Sequence, residues 1–322
     1  MAQMFAYITH KGGTIDDSAA ELAVAARKIG ADQPTAIVAG SGAELSAVCQ
    51  EAARIYPQVW KFDSAALAYP NGEVVRKLLV KALPAGSVVL LPHDHFGMDL
   101  GPGLSVKLDA AYVPDVVGIE EAGGGKLKLV RQEFAGMAYT HVVCDTAAGV
   151  VITLRPGAFQ ATEGGAAVAG QVQDKSGEVG DLGAKRSFLE VLQAEVGDVD
   201  ITKADVLVSV GRGIEEQENI ALAEELAEAM GATVSCSRPI VDAKWLEKAR
   251  QVGTSGKTVK PKVYLALGIS GSFQHLGGLK GSPFIVAVNK NPKAPIFQVA
   301  DVGIIEDILE LMPELTEKIK EG

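Results

Sequence analysis

The stretch YLALGISGSFQHLGGL, residues 264–279, decides the fold of the second half of the chain. Residues 263–267 form a short apolar run that ends at a glycine, which predicts a buried inner strand. The residues after Gly268 can open a helix, so a helix N-terminus would follow the carboxyl end of a strand. Such an end offers free N–H groups and a positive dipole, and Gly268 and Gly271 would let a phosphate approach the backbone.

Length and composition predict a two-domain α/β protein. A chain of 322 residues is long for one core. Hydrophobic residues make up 48% and aromatics only 5%, with 36 glycines, which is typical of a sheet with many strand-to-helix turns. The net charge of −10 argues against a large basic face, so we expect no nucleic-acid partner.

Cysteine spacing and apolar runs indicate a reducing compartment and no integral membrane segment. Cys49, Cys144 and Cys236 form no CxxC pair, which argues against a disulfide framework and a cysteine-rich metal site. No run of about 18 apolar residues occurs, and the N-terminus lacks a signal-peptide pattern. We expect a cytoplasmic protein, or one of the mitochondrial matrix if a transit peptide has been removed.

The first part of the chain alternates strand and helix signals, which predicts a parallel sheet with helices on both faces. The predicted strands are 4–8, 35–38 and 87–91, and the predicted helices are 17–29, 43–55 and 73–82. After about residue 110, strands follow one another without room for helices and predict an antiparallel extension or hairpins at the sheet edge. These strands are 116–119, 126–132, 138–144 and 150–154.

A second α/β pattern follows a weakly apolar segment. Residues 161–182 carry few large apolar side chains and predict a loose, exposed connection. The pattern restarts near residue 206, so we place the boundary close to 194 and predict domains 1–193 and 194–322. The elements predicted in the second domain are strands at 206–210, 232–235, 263–267 and 284–288, a helix at 215–230, and a helix at 307–320 interrupted near Pro313.

Two glycine turns in the second domain predict a nucleotide crevice. VGRGIEEQEN at 210–219 places Gly211 and Gly213 directly after a strand, and the turn at 268 follows another strand. Two such turns in one parallel sheet can face one nucleotide at the strand carboxyl ends. The first turn alone is a weak signal, because any strand-to-helix turn can use glycine, and the GxGxxG fingerprint is absent.

Other polar clusters give weaker indications. His93 and His95 in PHDHFGMD could supply two metal ligands, but the sequence identifies no third, so a turn that bonds local backbone is favoured and we expect no metal. No Ser-His-Asp or Cys-His arrangement occurs at a local spacing, so we predict no catalytic nucleophile.

Six segments of the second domain, read in order, resemble one family. They are VGRG, SRPIVD, QVGTSGKTVKP, GISGSFQHLGGL, AVNKNPKAPIFQVAD and VGIIEDILELMPELTEKI. From about residue 185 to the end, the chain resembles the alpha subunit of electron transfer flavoprotein. The first half resembles it more loosely, through AIVAGSG, FGMDLGPGLSVKLDAAYVPDVVGIE and TLRPGAF. The resemblance implies two doubly wound Rossmann-like domains, the first with additional edge strands and packed on a beta subunit, the second binding FAD.

The resemblance also implies which residues bind the FAD. The flavin side would be lined by Arg212, Ser237 and Arg238, with the isoalloxazine edge near Val252, Gly253, Thr254 and Ser255. The pyrophosphate and pyrimidine side would be held by Ser270, Gly271, Ser272, Phe273, Gln274 and His275. The adenosine half would meet Asn289, Asp307 and Ile308.

The chemistry of these side chains suits a flavin. Reduction places negative charge around N1 and the C2 carbonyl, so a cation or N–H donor such as Arg238 or His275 would stabilise the reduced form. The Ser255 hydroxyl can donate to N5. Many family members have Gln where this chain has Thr254, so no role that needs a long amide is expected there.

Three functions are compatible with these features. The leading hypothesis is an electron carrier that forms a heterodimer with the electron transfer flavoprotein beta subunit. It would take electrons from acyl-CoA-type dehydrogenases of fatty acid beta-oxidation and pass them to a quinone reductase or similar acceptor. The alternative is the alpha subunit of an electron-bifurcating complex that oxidises NADH with two FADs. A third, less favoured, is a regulatory adenine-nucleotide sensor that uses the same turns.

Overall fold

The computed structural model describes residues 3–134, 138–159, 169–190, 199–281 and 283–321. The chain divides into two compact units, Met1–Glu190 and Val191–Gly322. The boundary predicted near residue 194 lies outside the described residues. Each unit contains a sheet with buried apolar side chains on both faces. No helix in the described ranges is long and apolar enough to cross a membrane.

The first unit alternates strands and helices along most of its length. Its strands are β1 Met4–Tyr7, β2 His10–Lys11, β3 Thr14–Ile15, β4 Thr35–Gly40, β5 Gln58–Asp63, β6 Val88–Pro92, β7 Ala111–Gly123, β8 Lys126–Glu133, β9 Ala138–Asp145, β10 Val150–Leu154 and β11 Gln171–Asp174. Its helices are α1 Ser18–Lys28, α2 Glu44–Ala52, α3 Gly72–Ala82 and α4 His95–Leu108.

Nine of these strands form one sheet in the order β11-β5-β4-β1-β6-β10-β7-β8-β9. Neighbours from β11 to β7 run parallel, and β8 and β9 extend the sheet antiparallel. The predicted parallel sheet with an antiparallel extension is confirmed. However, Val150–Leu154 lies inside the parallel part, between β6 and β7, because a strand with all five side chains buried needs covered faces.

The prediction of a loose connection over 161–182 is wrong for its second half. Gln171–Asp174 forms β11, which pairs in parallel with β5 at the edge of the sheet. All four of its side chains are exposed, so its composition resembles that of a loop. An edge strand is held through its backbone, and here Lys61 Nζ also lies 3.1 Å from Asp174 Oδ2. Residues 161–168 of the predicted connection lie outside the described residues.

The second unit is a smaller parallel sheet. Its strands are β12 Val206–Val210, β13 Thr233–Cys236, β14 Val263–Leu267, β15 Phe284–Val288 and β16 Val302–Ile304, and its helices are α5 Ile220–Met230, α6 Arg238–Asp242, α7 Phe273–Leu276 and α8 Ile308–Glu321. The strand order is β13-β12-β14-β15-β16, with all neighbours parallel. The direction of strand addition therefore reverses between β12 and β14, where ligands bind in such sheets.

Two predicted helices of this unit differ in detail. The helix expected from residue 215 begins at Ile220, because Glu215 has φ +66 and the residues around it form short 3₁₀ turns. Helix α8 runs through Pro313 without the predicted interruption. Its buried side chains, which include Met312 and Thr316, hold it against the core, and this packing outweighs the backbone hydrogen bond that proline removes.

Candidate functional site

The turns after β12 and β14 meet through their glycines. The Gly211 N–H donates to the Leu267 carbonyl at 2.8 Å, and the Gly213 N–H donates to the Gly268 carbonyl at 3.2 Å. A Cβ on Gly211 would lie 2.4 Å from the Gly268 oxygen. Gly268 itself has φ +62, and its Cβ would lie 2.6 Å from Gly213 Cα. The glycines thus allow two backbone turns to touch at the predicted crevice.

The segment after Gly268 is a loop with one helical turn rather than a long helix. Helix α7 contains only four residues. Gly271, with φ +81, packs so closely that a Cβ would lie 2.4 Å from Ile296 N, and the Ile296 N–H donates to the Ser270 carbonyl at 3.0 Å. Within the described residues, the N–H groups of Ser270, Gly271 and Ser272 have no acceptor, so they remain available as donors to a ligand.

Residues 252–255, predicted to lie near the isoalloxazine edge, are fixed against β13 and α7. The Val252 N–H donates to the Cys236 carbonyl at 2.9 Å, and the Thr254 N–H donates to the Gln274 carbonyl at 2.8 Å. Gly253 has φ +139, and its Cβ would lie 2.9 Å from the Gln274 oxygen. These contacts bring together three segments, the loop itself, the end of β13 and helix α7, that lie apart in sequence.

Gln251 orients the hydroxyl of Ser255. The residue is 3% exposed, and its Nε2 donates to Ser255 Oγ at 2.9 Å. Because the hydroxyl oxygen accepts this bond, the hydroxyl proton remains free to be donated elsewhere. Ser255 itself is exposed to solvent. Gln251 is not among the predicted site residues, since nothing in QVGTSG shows that this glutamine is buried.

Two cavities adjoin at the carboxyl ends of β12 and β14 and share Arg212 and Gly268. The larger cavity, of about 410 Å³, is lined by residues that include Arg212, Ser237, Arg238, Val252, Gly253, Thr254, Ser255, Ser270, Gly271, Ser272, Gln274 and His275. The smaller cavity, of about 380 Å³, is lined by residues that include Arg212, Asn289, Lys290 and Ile308. Phe273 and Asp307 are the predicted site residues that line neither. Phe273 is 53% exposed.

Positive side chains stand at the larger cavity. Arg212 is exposed, and Arg238, on α6, has a side chain that is 68% exposed, with its Nε 3.3 Å from Asp242 Oδ2. An exposed ion pair of this kind contributes little to stability, so Arg238 can turn toward an anionic or electron-rich ligand at small cost.

An ion-pair network borders the smaller cavity. Lys290 Nζ lies 3.0 Å from Glu215 Oε1 and 2.9 Å from Asp307 Oδ2. The hydrogen bond from Lys290 lowers the pKa of Asp307, and the bonds to Asp307 and Glu215 raise the pKa of Lys290. Asn289 Nδ2 donates to the Ile269 carbonyl at 3.0 Å and so ties β15 to the turn after β14. Neither Lys290 nor Glu215 is among the predicted site residues.

His275 is buried with one ring nitrogen unpaired. The residue is 5% exposed, and its Nε2 lies 2.7 Å from the hydroxyl of Tyr264. Its Nδ1 is buried and has no hydrogen-bond partner among the described residues. Burial lowers the pKa of His275 to about 4, and the Val252 backbone partly opposes this shift. Val252 nevertheless gives Nδ1 no hydrogen bond of good geometry. The expected role as an N–H donor is compatible with this neutral ring, whereas the expected role as a cation is not.

The histidine pair of the first unit makes local contacts. His93 Nδ1 lies 2.8 Å from Thr153 Oγ1, and its Nε2 lies 3.8 Å from Asp115 Oδ1. Asp115 in turn pairs with Arg155 at 2.6 Å, and His95 begins α4. Among the residues that the structure describes, no three or more His, Cys, Asp or Glu side chains are arranged to hold a metal ion.

The adjoining cavities suit an extended nucleotide cofactor. They provide available N–H groups and hydroxyls for phosphates, arginines for negative charge, and a buried, unpaired nitrogen that a ligand atom can satisfy. These donors lie on separate loops that the fold brings to one edge of the sheet.

Comparisons with known proteins agree with this geometry. Residues 4–179 match the family model "Electron transfer flavoprotein domain", and residues 200–280 match "Electron transfer flavoprotein FAD-binding domain". The second range contains the residues that line the larger cavity, whereas Asn289, Asp307 and Ile308 lie beyond it.

Three relatives illustrate the similarity. "Probable electron transfer flavoprotein subunit alpha, mitochondrial" of Cryptococcus neoformans var. grubii is 33% identical over 326 residues, which cover 99% of this chain and 92% of the relative. "Electron transfer flavoprotein subunit alpha" of Bacillus subtilis (strain 168) is 36% identical over 233 residues, 72% of this chain and 70% of the relative. "Protein FixB" of Clostridium saccharobutylicum is 39% identical over 228 residues, 70% and 67% of the two chains.

Proposed function

The chain belongs to the electron transfer flavoprotein family as a relative of its alpha subunits with an FAD-binding domain, and from this premise we propose that it carries electrons between protein partners. The electron donor would be an acyl-CoA-type dehydrogenase, and the acceptor a quinone reductase or a similar protein. The observation that carries the proposal is the pair of adjoining cavities at the β12/β14 reversal, lined by nearly all of the residues that the resemblance implies.

FAD, when bound, supplies the reversible uptake and release of electrons. The protein's part is to hold it and to set its reduction potential. Arg212 and Arg238 would lie on the flavin side with Ser237, since these side chains line the larger cavity and two of them carry positive charge. A positive charge or N–H donor near a ring that becomes negative on reduction raises the reduction potential.

The Gln251–Ser255 pair would hold a proton toward the flavin edge. The Gln251 side-chain amide donates a hydrogen bond to the Ser255 oxygen, so the Ser255 hydroxyl donates its own proton outward from the 252–255 loop. The contact from Thr254 to α7 fixes the loop, so Ser255 keeps its position when the cofactor binds.

The remaining contacts would divide between the phosphates and the adenosine. Ser270, Gly271 and Ser272 offer backbone donors to the pyrophosphate, and Phe273 and Gln274 follow them on α7. Asn289, Ile308 and Asp307 would meet the adenosine half. Asp307 does not line the smaller cavity, so it would act there through Lys290, which does.

The first unit would pack on an electron transfer flavoprotein beta subunit, to give a heterodimer. The names of the relatives support this part of the proposal, because they describe those proteins as alpha subunits. A location in the cytoplasm, or in the mitochondrial matrix, belongs to the same proposal, and the name of the Cryptococcus relative describes that protein as mitochondrial.

An anaerobic visible-absorption titration of the copurified heterodimer tests this function. FAD is counted per heterodimer, NADH is added first, then an acyl-CoA dehydrogenase with its acyl-CoA, and finally dithionite. We expect one FAD that is indifferent to NADH and is reduced by the dehydrogenase. Two FADs with reduction by NADH would replace the carrier with a bifurcating complex. An adenine nucleotide in place of FAD would contradict both and favour a nucleotide sensor.

A further inference from the structure

Three buried side chains form a hydrogen-bonded row beneath the larger cavity. Ser209 on β12 and Tyr264 on β14 are both fully buried, and the Tyr264 hydroxyl lies 2.7 Å from Ser209 Oγ. The same hydroxyl lies 2.7 Å from His275 Nε2. The row ends at His275 Nδ1, which has no partner among the described residues, in a residue that lines the cavity. An unpaired polar atom of this kind calls for a ligand or another physical explanation.

The hydrogen count of the row permits two arrangements. A tyrosine hydroxyl has one proton, so Tyr264 donates either to Ser209 or to His275. If it donates to Ser209, His275 must carry its proton on Nε2, and Nδ1 becomes an acceptor. If it donates to His275 Nε2, the serine hydroxyl turns to donate to Tyr264, and His275 must carry its proton on Nδ1. The hydroxyl of Tyr264 therefore decides whether the ring offers the cavity a donor or an acceptor.

We propose that Tyr264 is a positioning residue that holds His275 as the Nδ1–H tautomer, so that a neutral imidazole donates one hydrogen bond from Nδ1 to the bound flavin. This inference rests on the proposed flavin site. The flavin N1 and C2 carbonyl are acceptors, and negative charge gathers there on reduction, so they require a donor. The pKa of about 4 keeps the ring neutral at physiological pH, so the tautomer, and not the charge, is the property that Tyr264 sets.

The reduction potential of the flavin in variants of the heterodimer tests the inference. Tyr264→Phe keeps the ring and removes the hydroxyl, so Nε2 loses its donor and the preference for Nδ1–H is lost. We expect the affinity for reduced relative to oxidised flavin to fall about tenfold, a shift of about 30 mV to more negative values for a two-electron couple. FAD content should remain at the wild-type level, because the cavity walls are unchanged.

Two matched variants separate this role from a structural one. Ser209→Ala removes the alternative acceptor, so the Tyr264 proton must go to His275, and the potential should stay at the wild-type value. In a His275→Gln background, Tyr264→Phe should add no further shift, since the two residues act as one unit. An unchanged potential in Tyr264→Phe with full FAD content, or an equal shift in the His275→Gln background, would overturn the inference.

The ¹⁵N chemical shifts of the His275 ring in the wild-type protein give a second measurement, which does not depend on how any variant folds. The signals are assigned by their loss in His275→Gln, and the two neutral tautomers differ in which nitrogen carries the proton. We expect protonation at Nδ1, whereas protonation at Nε2 refutes the inference whether or not FAD is present. Absence of FAD from the wild-type heterodimer would instead refute the proposed function, so the two failures are distinct.

Discussion

Replacing Gly271 by alanine tests whether the loop after β14 depends on its contact with Ile296. The new Cβ would lie 2.4 Å from Ile296 N and 2.5 Å from Ile296 Cα, both below the 3.0 Å that real Cβ contacts essentially never cross. The clash is with backbone, so the loop itself must move, which costs about 1–3 kcal/mol by analogy with overpacked cores. The left-handed conformation at φ +81 costs an alanine about 1–2 kcal/mol more. We expect the second unit to lose about 2–5 kcal/mol of unfolding free energy.

Gly231→Ala is the matched control for this prediction. Gly231 has φ +60 and no heavy atom within 4 Å of its Cβ position, so the substitution carries the conformational cost alone, about 1–2 kcal/mol. In a Trp60→Phe background, urea unfolding followed by the fluorescence of Trp245 reports the second unit. Gly271→Ala should also reduce FAD content, and Gly231→Ala should not. Equal midpoints for the two variants, with full FAD content in both, would refute the reasoning.

Three further predictions concern the side chains of the site. Arg238→Ala should lower the flavin reduction potential or weaken FAD retention, because it removes a positive charge from the larger cavity, and potentiometry with both values unchanged would exclude this role. Gln251→Leu should shift the potential in the same direction as Ser255→Ala, since it frees the Ser255 oxygen, and a wild-type potential would show that Ser255 needs no such partner. In the apoprotein, His275 takes up a proton near pH 6.5 when the chain is unfolded but only near pH 4 when it is folded. The unfolding free energy that depends on neutral His275 is therefore fully present above pH 6.5. It falls as the pH drops toward 4, by up to about 3 kcal/mol. His275→Gln should flatten this slope, and an unaltered slope between pH 4 and 6.5 would place the titration elsewhere.

Three strands of the second unit could be predicted with accurate ends because each is a short, mainly apolar segment with a clear boundary. Val206–Val210, Val263–Leu267 and Phe284–Val288 are apolar runs closed by glycine or polar residues, and the structure assigns strands over the same residues. A strand covered on both faces reads as a continuous apolar run, so the prediction rests on burial alone. Edge strand β11 has no buried side chain and therefore leaves no such signal.

Helix α4 escaped prediction because its sequence disfavours a helix and its packing requires one. HFGMDLGPGLSVKL contains three glycines and a proline, all poor helix formers. A Cβ on Gly97 would lie 1.9 Å from the Pro92 carbonyl oxygen, and one on Gly101 would lie 2.8 Å from the Tyr112 ring. Asp94 caps the helix by accepting from the Gly97 N–H at 2.7 Å. The glycines therefore serve close contacts that no local pattern reveals.

In the site, too, the sequence predicts which residues belong together, whereas their hydrogen-bond partners are known only from the fold. The order of motifs is enough to name Ser255 and His275, since each lies in a segment that the family resemblance covers. The identity of these two residues does not show which of their atoms is available for a hydrogen bond to a ligand. Gln251 sets the direction in which the Ser255 hydroxyl donates its proton. Tyr264 is the hydrogen-bond partner of His275 Nε2, whereas Nδ1 has no partner among the described residues. Both partners are buried polar residues, and burial of this kind is stable only when the hydrogen bonds are made. A buried polar residue next to a predicted site residue is therefore the feature from which a tuning role can be inferred.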